Sequence, residues 1–150
     1  MEVAGPTGPV ESWLVQIGVP HLVVPLGRIP DGPIDDFCKP LRRLKALGPA
    51  GANVNLVSLS DTSSGAVRTF ERGVEAETLA CGSGSMASVF ALRATGKAEP
   101  QVSLRVSSGE TLDIEILDLA PPDGTVRDVR LSGPAVKLFE GTFHETILAP

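Results

Sequence analysis

Residues 71–85 read Glu-Arg-Gly-Val-Glu-Ala-Glu-Thr-Leu-Ala-Cys-Gly-Ser-Gly-Ser and lead into the apolar run Met86–Leu92. Cys81 thus lies in a small, flexible turn that opens a helix. Backbone N–H groups at a helix start favour anions. A thiol placed there is expected to lose its proton more readily, and the thiolate is the reactive form. The same amides, those of Gly82 and Ser83, can cradle a carboxylate. Glu71 and Arg72 add an acid and a guanidinium just upstream. The set suits removal of a weakly acidic proton beside a carboxylate, with the developing charge held by fixed dipoles.

Each of these residues also has a plainer reading. A free cysteine is most often a small buried hydrophobe; the Gly-Ser-Gly turn argues for more at Cys81. Cys38, beside Phe37 on an amphipathic segment, fits the plain reading of packing. Glu71 and Arg72 fit a surface charge pair worth at most about 1 kcal/mol, with side chains on opposite faces of a strand end. Asn53 fits a turn residue after Gly51, and Asn55 a structural role. Ser83 and Ser85 fit plain helix caps, a role compatible with a carboxylate cradle. Arg42, Arg43 and Lys45 read as a solvated helix face, and His144 as structural.

The elements that must position the cysteine follow from periodicity. Trp13–Ile17 and His21–Leu26 read as strands broken by Gly18-Val19-Pro20. Residues 34–47 carry apolar side chains near helical spacing, with Pro40 as a kink and Gly48-Pro49 as the stop. Asn53–Ser60 and Ala66–Arg72 read as strands joined by Asp-Thr-Ser-Ser-Gly. Gly82–Ala94 reads as a helix apolar on nearly every face, which belongs in an interior wrapped by sheet. Alternation over Val102–Val106 and Leu112–Ile116 gives a hairpin through Ser107-Ser108-Gly109-Glu110. Pro121-Pro122-Asp123-Gly124 reads as a turn, and 126–131, 136–139 and 143–148 as further strands. The class is α+β, a mostly antiparallel curved sheet wrapped around one central buried helix. Residues 1–10, rich in Gly and Pro, read as a flexible arm or linker remnant, and 11–150 as a single domain.

Composition sets outer limits. A chain of 150 residues fits one domain and buries about 68–70% of its unfolded surface. A net charge of −5 with no basic stripe argues against nucleic acid as a partner. No long apolar stretch points to a membrane span, and the cytoplasm is the expected location. Two cysteines and two separated histidines make neither a disulfide framework nor a metal centre.

Four segments together resemble the C-terminal half of the diaminopimelate epimerase family. Gly18-Val19-Pro20-His21 resembles the family's Gly-Asn-Pro-His, and Ala52-Asn53-Val54-Asn55 its Thr-Asn-Val-Asn. Phe70-Glu71-Arg72-Gly73 with Glu77-Thr78-Leu79-Ala80-Cys81-Gly82-Ser83-Gly84 resembles its signature. Leu131-Ser132-Gly133-Pro134-Ala135 with Phe139-Glu140-Gly141 resembles its closing strands. The third segment is the most specific.

The resemblance implies a pair of pseudo-symmetric domains, each a sheet curled around one helix. It implies a cofactor-independent isomerase that interconverts LL- and meso-diaminopimelate for lysine biosynthesis, with one cysteine from each domain on either side of the α-carbon. By that likeness Cys81 is one catalytic thiol, and Gly82 and Ser83 hold the α-carboxylate. Arg72 and Asn53 bind the distal carboxylate, Glu71 meets an ammonium group, and His21 sits near the thiol and helps set its protonation. Val19 stands where the family usually has Asn, and the N-terminal half with its cysteine has no counterpart here. The missing thiol would come from a complementary N-terminal half or from a second copy of this chain. A non-catalytic carboxylate-binding remnant or regulatory partner is the rival reading, and a thiol hydrolase using Cys81 and His21 a weaker one.

Overall fold

The computed structural model describes residues 1–120 and 125–142. Ten strands and two α-helices follow in chain order: β1 (Glu2–Gly5), β2 (Gly8–Glu11), β3 (Trp13–Ile17), β4 (Val19–Pro25), α1 (Asp35–Arg42), β5 (Asn53–Leu59), β6 (Ser64–Glu71), β7 (Ala76–Thr78), α2 (Gly82–Ala94), β8 (Gln101–Arg105), β9 (Thr111–Ala120) and β10 (Thr125–Ser132). Eight strands form one sheet in the order β10-β9-β8-β6-β5-β4-β3, and β7 shares an edge of β6 with β8. Among the described residues only β4/β5 and β6/β8 run parallel. The expected α+β class with a mostly antiparallel curled sheet is the class observed.

Strand alternation sorts the sheet residues onto two faces. Leu22 and Val24 of β4, Val54 and Leu56 of β5, and Phe70 of β6 pack with Ile34, Cys38 and Leu41 from the α1 side. Val23, Val57, Val67, Leu104 and Ile114 pack with Ala87, Val89 and Leu92 of α2 on the other. Both faces are covered, so β5 is apolar or buried along nearly its whole length. By the same alternation His21, Asn53, Asn55, Thr69 and Glu71 share the α2 face. The register brings them close: His21 pairs with Asn53 across β4/β5, and Asn55 with Thr69 across β5/β6.

Several expectations are corrected. The Gly/Pro-rich stretch 1–10 is no free arm: β1 and β2 form a hairpin that buries Val3 against the α1-side core and ties the N-terminal ammonium to the Ser12 carbonyl. The turn before His21 needs Gly18 alone, whose φ of +66° sets it, so Val19 and Pro20 already belong to β4. The helix expected over 34–47 runs through Pro40 and stops at Arg42, where the Arg43 and Leu44 amides turn to the carbonyls of Pro40 and Leu41 three residues back, and a single 3-10 turn at Lys45–Leu47 follows. Residues 136–139 are no strand. They pair with no strand among the described residues, and Val136, Leu138 and Phe139 are 76–87% exposed. The turn at 121–124, the strand at 143–148 and His144 lie outside the described residues. No helix among the described residues is long and apolar enough to cross a membrane.

Candidate active site

The β6–β7 hairpin delivers the cysteine. Gly73 at φ +91° and Glu75 at +59° reverse the chain after β6, and the Glu75 amide closes the turn on the Glu71 carbonyl at 2.8 Å. Behind the turn, Arg68 grips both carboxylate oxygens of Glu77 at 2.7 and 2.5 Å and also reaches the carbonyl of Gly32 at 2.8 Å. Ser107 adds a third bond to Glu77 at 2.6 Å. These contacts fix β7, and the chain reaches Cys81 three residues later.

Cys81 is the N-cap of α2, in extended conformation, and its sulfur accepts the Gly84 N–H at 3.4 Å. The Ser83 hydroxyl lies 3.5 Å from the same sulfur. A cysteine therefore fills the position that Ser, Thr, Asp or Asn usually takes. The amides of Gly82 and Ser83, which open the helix, make no hydrogen bond among the described residues. Leu131 of β10 lies over Gly82: a Cβ there would meet its methyl at 2.9 Å.

The expectation that the helix start alone eases deprotonation is corrected. Burial pushes the Cys81 thiol above its ordinary range; Ser83 and the Gly84 amide pull the other way, and the negative charge of Glu71 adds to the rise. The thiol is still the more available of the two. Cys81 is 9% exposed, whereas Cys38 is fully buried and its thiol is pushed up to about 12, chiefly by burial.

The remaining expected residues are placed as follows. Glu71, half-buried at the end of β6, accepts a bond from the Thr78 hydroxyl at 2.8 Å and bears electrostatically on both Cys81 and His21. His21 is fully buried, and its Nδ1 meets the Asn55 amide nitrogen at 3.2 Å. Burial holds its imidazole below the ordinary 6.5, against opposing pulls from Asn55 and Glu71. No hydrogen bond joins it to Cys81 among the described residues. Asn53 spends its Oδ1 on the Arg72 backbone N–H, 2.8 Å away, which fixes where the chain leaves β6. The Arg72 guanidinium makes no ion pair among the described residues.

Sequence reasoning passed over Asn55, Thr69, Glu77 and Gly84 as working parts of this site. Asn55 and Thr69 were legible only through strand alternation, which puts them on the face of His21 and Glu71. A groove of about 1130 Å³ is lined by residues that include Arg28, Asp31, Glu77 and Arg105, and by none of Cys81, His21, Asn53 or Glu71. Among the described residues no three of His, Cys, Asp and Glu converge as metal ligands.

The family model described as diaminopimelate epimerase matches residues 13–127. The diaminopimelate epimerase of Gemmatimonas aurantiaca is 44% identical over 108 residues, covering 71% of this chain and 39% of that protein. That of Aquifex aeolicus is 35% identical over 136 residues, covering 89% of this chain and 46% of that protein. The chain spans less than half the length of either relative. A crystal structure of a hydroxyproline epimerase from Agrobacterium vitis is 15% identical with a TM-score of 0.53, covering 89% of this chain and 48% of that one, a likeness of fold.

Proposed function

The chain belongs to the diaminopimelate epimerase family, and we propose that it is the Cys81-bearing half of a cofactor-independent amino-acid epimerase. The observation that carries this is the meeting at one helix start of a thiol, the Gly82 and Ser83 amides, which make no hydrogen bond among the described residues, and the Glu71 carboxylate. A substrate α-carboxylate laid on those two amides would bring its α-carbon to the sulfur. Cys81 as thiolate takes the α-proton and becomes a thiol. The electron pair left on carbon spreads into the carboxylate, where the helix-start amides stabilise it. A proton delivered to the opposite face by a second thiol completes the inversion.

Glu71 links binding to ionisation in this scheme. Its charge opposes thiolate formation while no cation offsets it beside the sulfur among the described residues. A substrate ammonium set against it would offset that charge and ease deprotonation at the moment the α-proton is in reach. Arg72 is left to a distal carboxylate, and Asn53 positions it by anchoring its backbone. LL- and meso-diaminopimelate fit this charge pattern, and our reading is a step of lysine biosynthesis carried out in the cytoplasm.

Only one accessible thiol stands in this half, and inversion needs two. The second belongs to a complementary N-terminal half, in keeping with the share of each relative that the chain spans. The same count favours one alternative, a carboxylate-binding module without turnover. Loss of α-deuterium from labelled diaminopimelate, followed with and without a supplied N-terminal half, separates the two. Exchange on supplementation supports the epimerase; binding without exchange supports the alternative.

A further inference from the structure

Beneath the first turn of α2 lie three buried polar side chains that the proton transfer does not use. His21 and Asn55 are fully buried and Thr69 is 3% exposed. Such groups cost stability unless paired, and two bonds pair them. The Thr69 hydroxyl donates to Asn55 Oδ1 at 3.0 Å, which leaves the Asn55 amide nitrogen to donate to His21 Nδ1 at 3.2 Å. The order of donors fixes the Asn55 amide and leaves the imidazole proton on Nε2, which has no hydrogen-bond partner among the described residues.

This row meets the helix start at Gly84. A Cβ on Gly84 would stand 2.2 Å from Asn55 Oδ1, 3.1 Å from Thr69 Oγ1 and 3.2 Å from the Cys81 sulfur. Gly84 is also the residue whose N–H points at that sulfur. The height at which Asn55 carries Gly84 therefore sets where the N–H meets the thiol. We propose that Asn55, held by Thr69, is a positioning residue for Cys81: it is the seat that keeps the Gly84 amide on the sulfur. The inference rests on the reading of Cys81 as the acid–base group. Its test reads the thiol directly, so the seat can fail while the epimerase reading stands.

The test is the pH profile of Cys81 alkylation by iodoacetamide in the intact chain, followed by mass. Glu71 and His21, the titratable groups facing this region, are the same in every variant. Thr69→Val keeps shape and removes one hydroxyl; Asn55→Leu removes both bonds; Thr69→Ser keeps the hydroxyl. Losing a donor to the thiolate is expected to raise the Cys81 midpoint by about one pH unit in Thr69→Val and Asn55→Leu. Thr69→Ser is expected to titrate like the parent. Parent-like midpoints in folded Thr69→Val and Asn55→Leu overturn the proposal. So does a parent-like Thr69→Val if Asn55→Leu fails to fold, since Asn55 is then structural only.

Discussion

Gly84 and Asn55 meet without a side chain between them: any Cβ at position 84 would stand 2.2 Å from Asn55 Oδ1. The helix that presents Cys81 can lie this low on β5 only because residue 84 is glycine. Gly84→Ala is expected to cost about 2 kcal/mol through overpacking, read from urea unfolding. A stability equal to the parent would show that the helix start rides higher than described.

The Arg68–Glu77 pair ties β7 to the loop at Gly32 and to Ser107. Glu77→Gln removes a charge-assisted fork and should cost about 2 kcal/mol at neutral pH. The Arg68 bonds hold the Glu77 carboxyl below its ordinary 4.5. A depressed carboxyl gives stability that is present above 4.5 and lost as pH falls through the folded value. The variant should lack this acid-side component in unfolding midpoints measured between pH 7 and 3. An unchanged acid limb would remove the pair from the account.

His21 makes a distinct contribution nearer neutrality. Its folded pKa lies below 6.5, because burial disfavours the imidazolium. Once the pH drops under 6.5 the unfolded chain takes up this proton first, so stability falls towards the folded value. His21→Gln should flatten the slope of stability against pH between 7 and 5 relative to the parent. A slope the same in both would mean that position 21 does not carry it.

The two thiols should separate under alkylation. Native chain treated with iodoacetamide at pH 8.5 should gain one adduct, at Cys81, and a second at Cys38 only in urea, because Cys38 is fully enclosed. Peptide mapping that finds Cys38 modified in the native chain would contradict the packing described.

The fold class and the cysteine turn were legible in the chain because periodicity and glycine placement are local signals. The α2 interior, the β5–β6 pair and the hairpin after β8 follow from spacing alone. What was not legible depends on partners distant in sequence. Whether 1–10 forms a hairpin depends on the core receiving Val3, and whether 136–139 forms a strand depends on an edge to pair with. The direction of the Cys81 shift was missed for the same reason. A helix start is visible in sequence, whereas the burial and the Glu71 charge that outweigh it arise only when β6, β7 and α2 close together.

The central claim is that Cys81 exchanges the α-proton. The direct measurement is deuterium uptake at the α-carbon of diaminopimelate in heavy water, using this chain supplied with a complementary N-terminal half, for the parent and for Cys81→Ser. The account predicts uptake by the parent and a loss of roughly 100-fold or more in the variant, with unchanged circular dichroism and melting. Full uptake by a folded Cys81→Ser would contradict it.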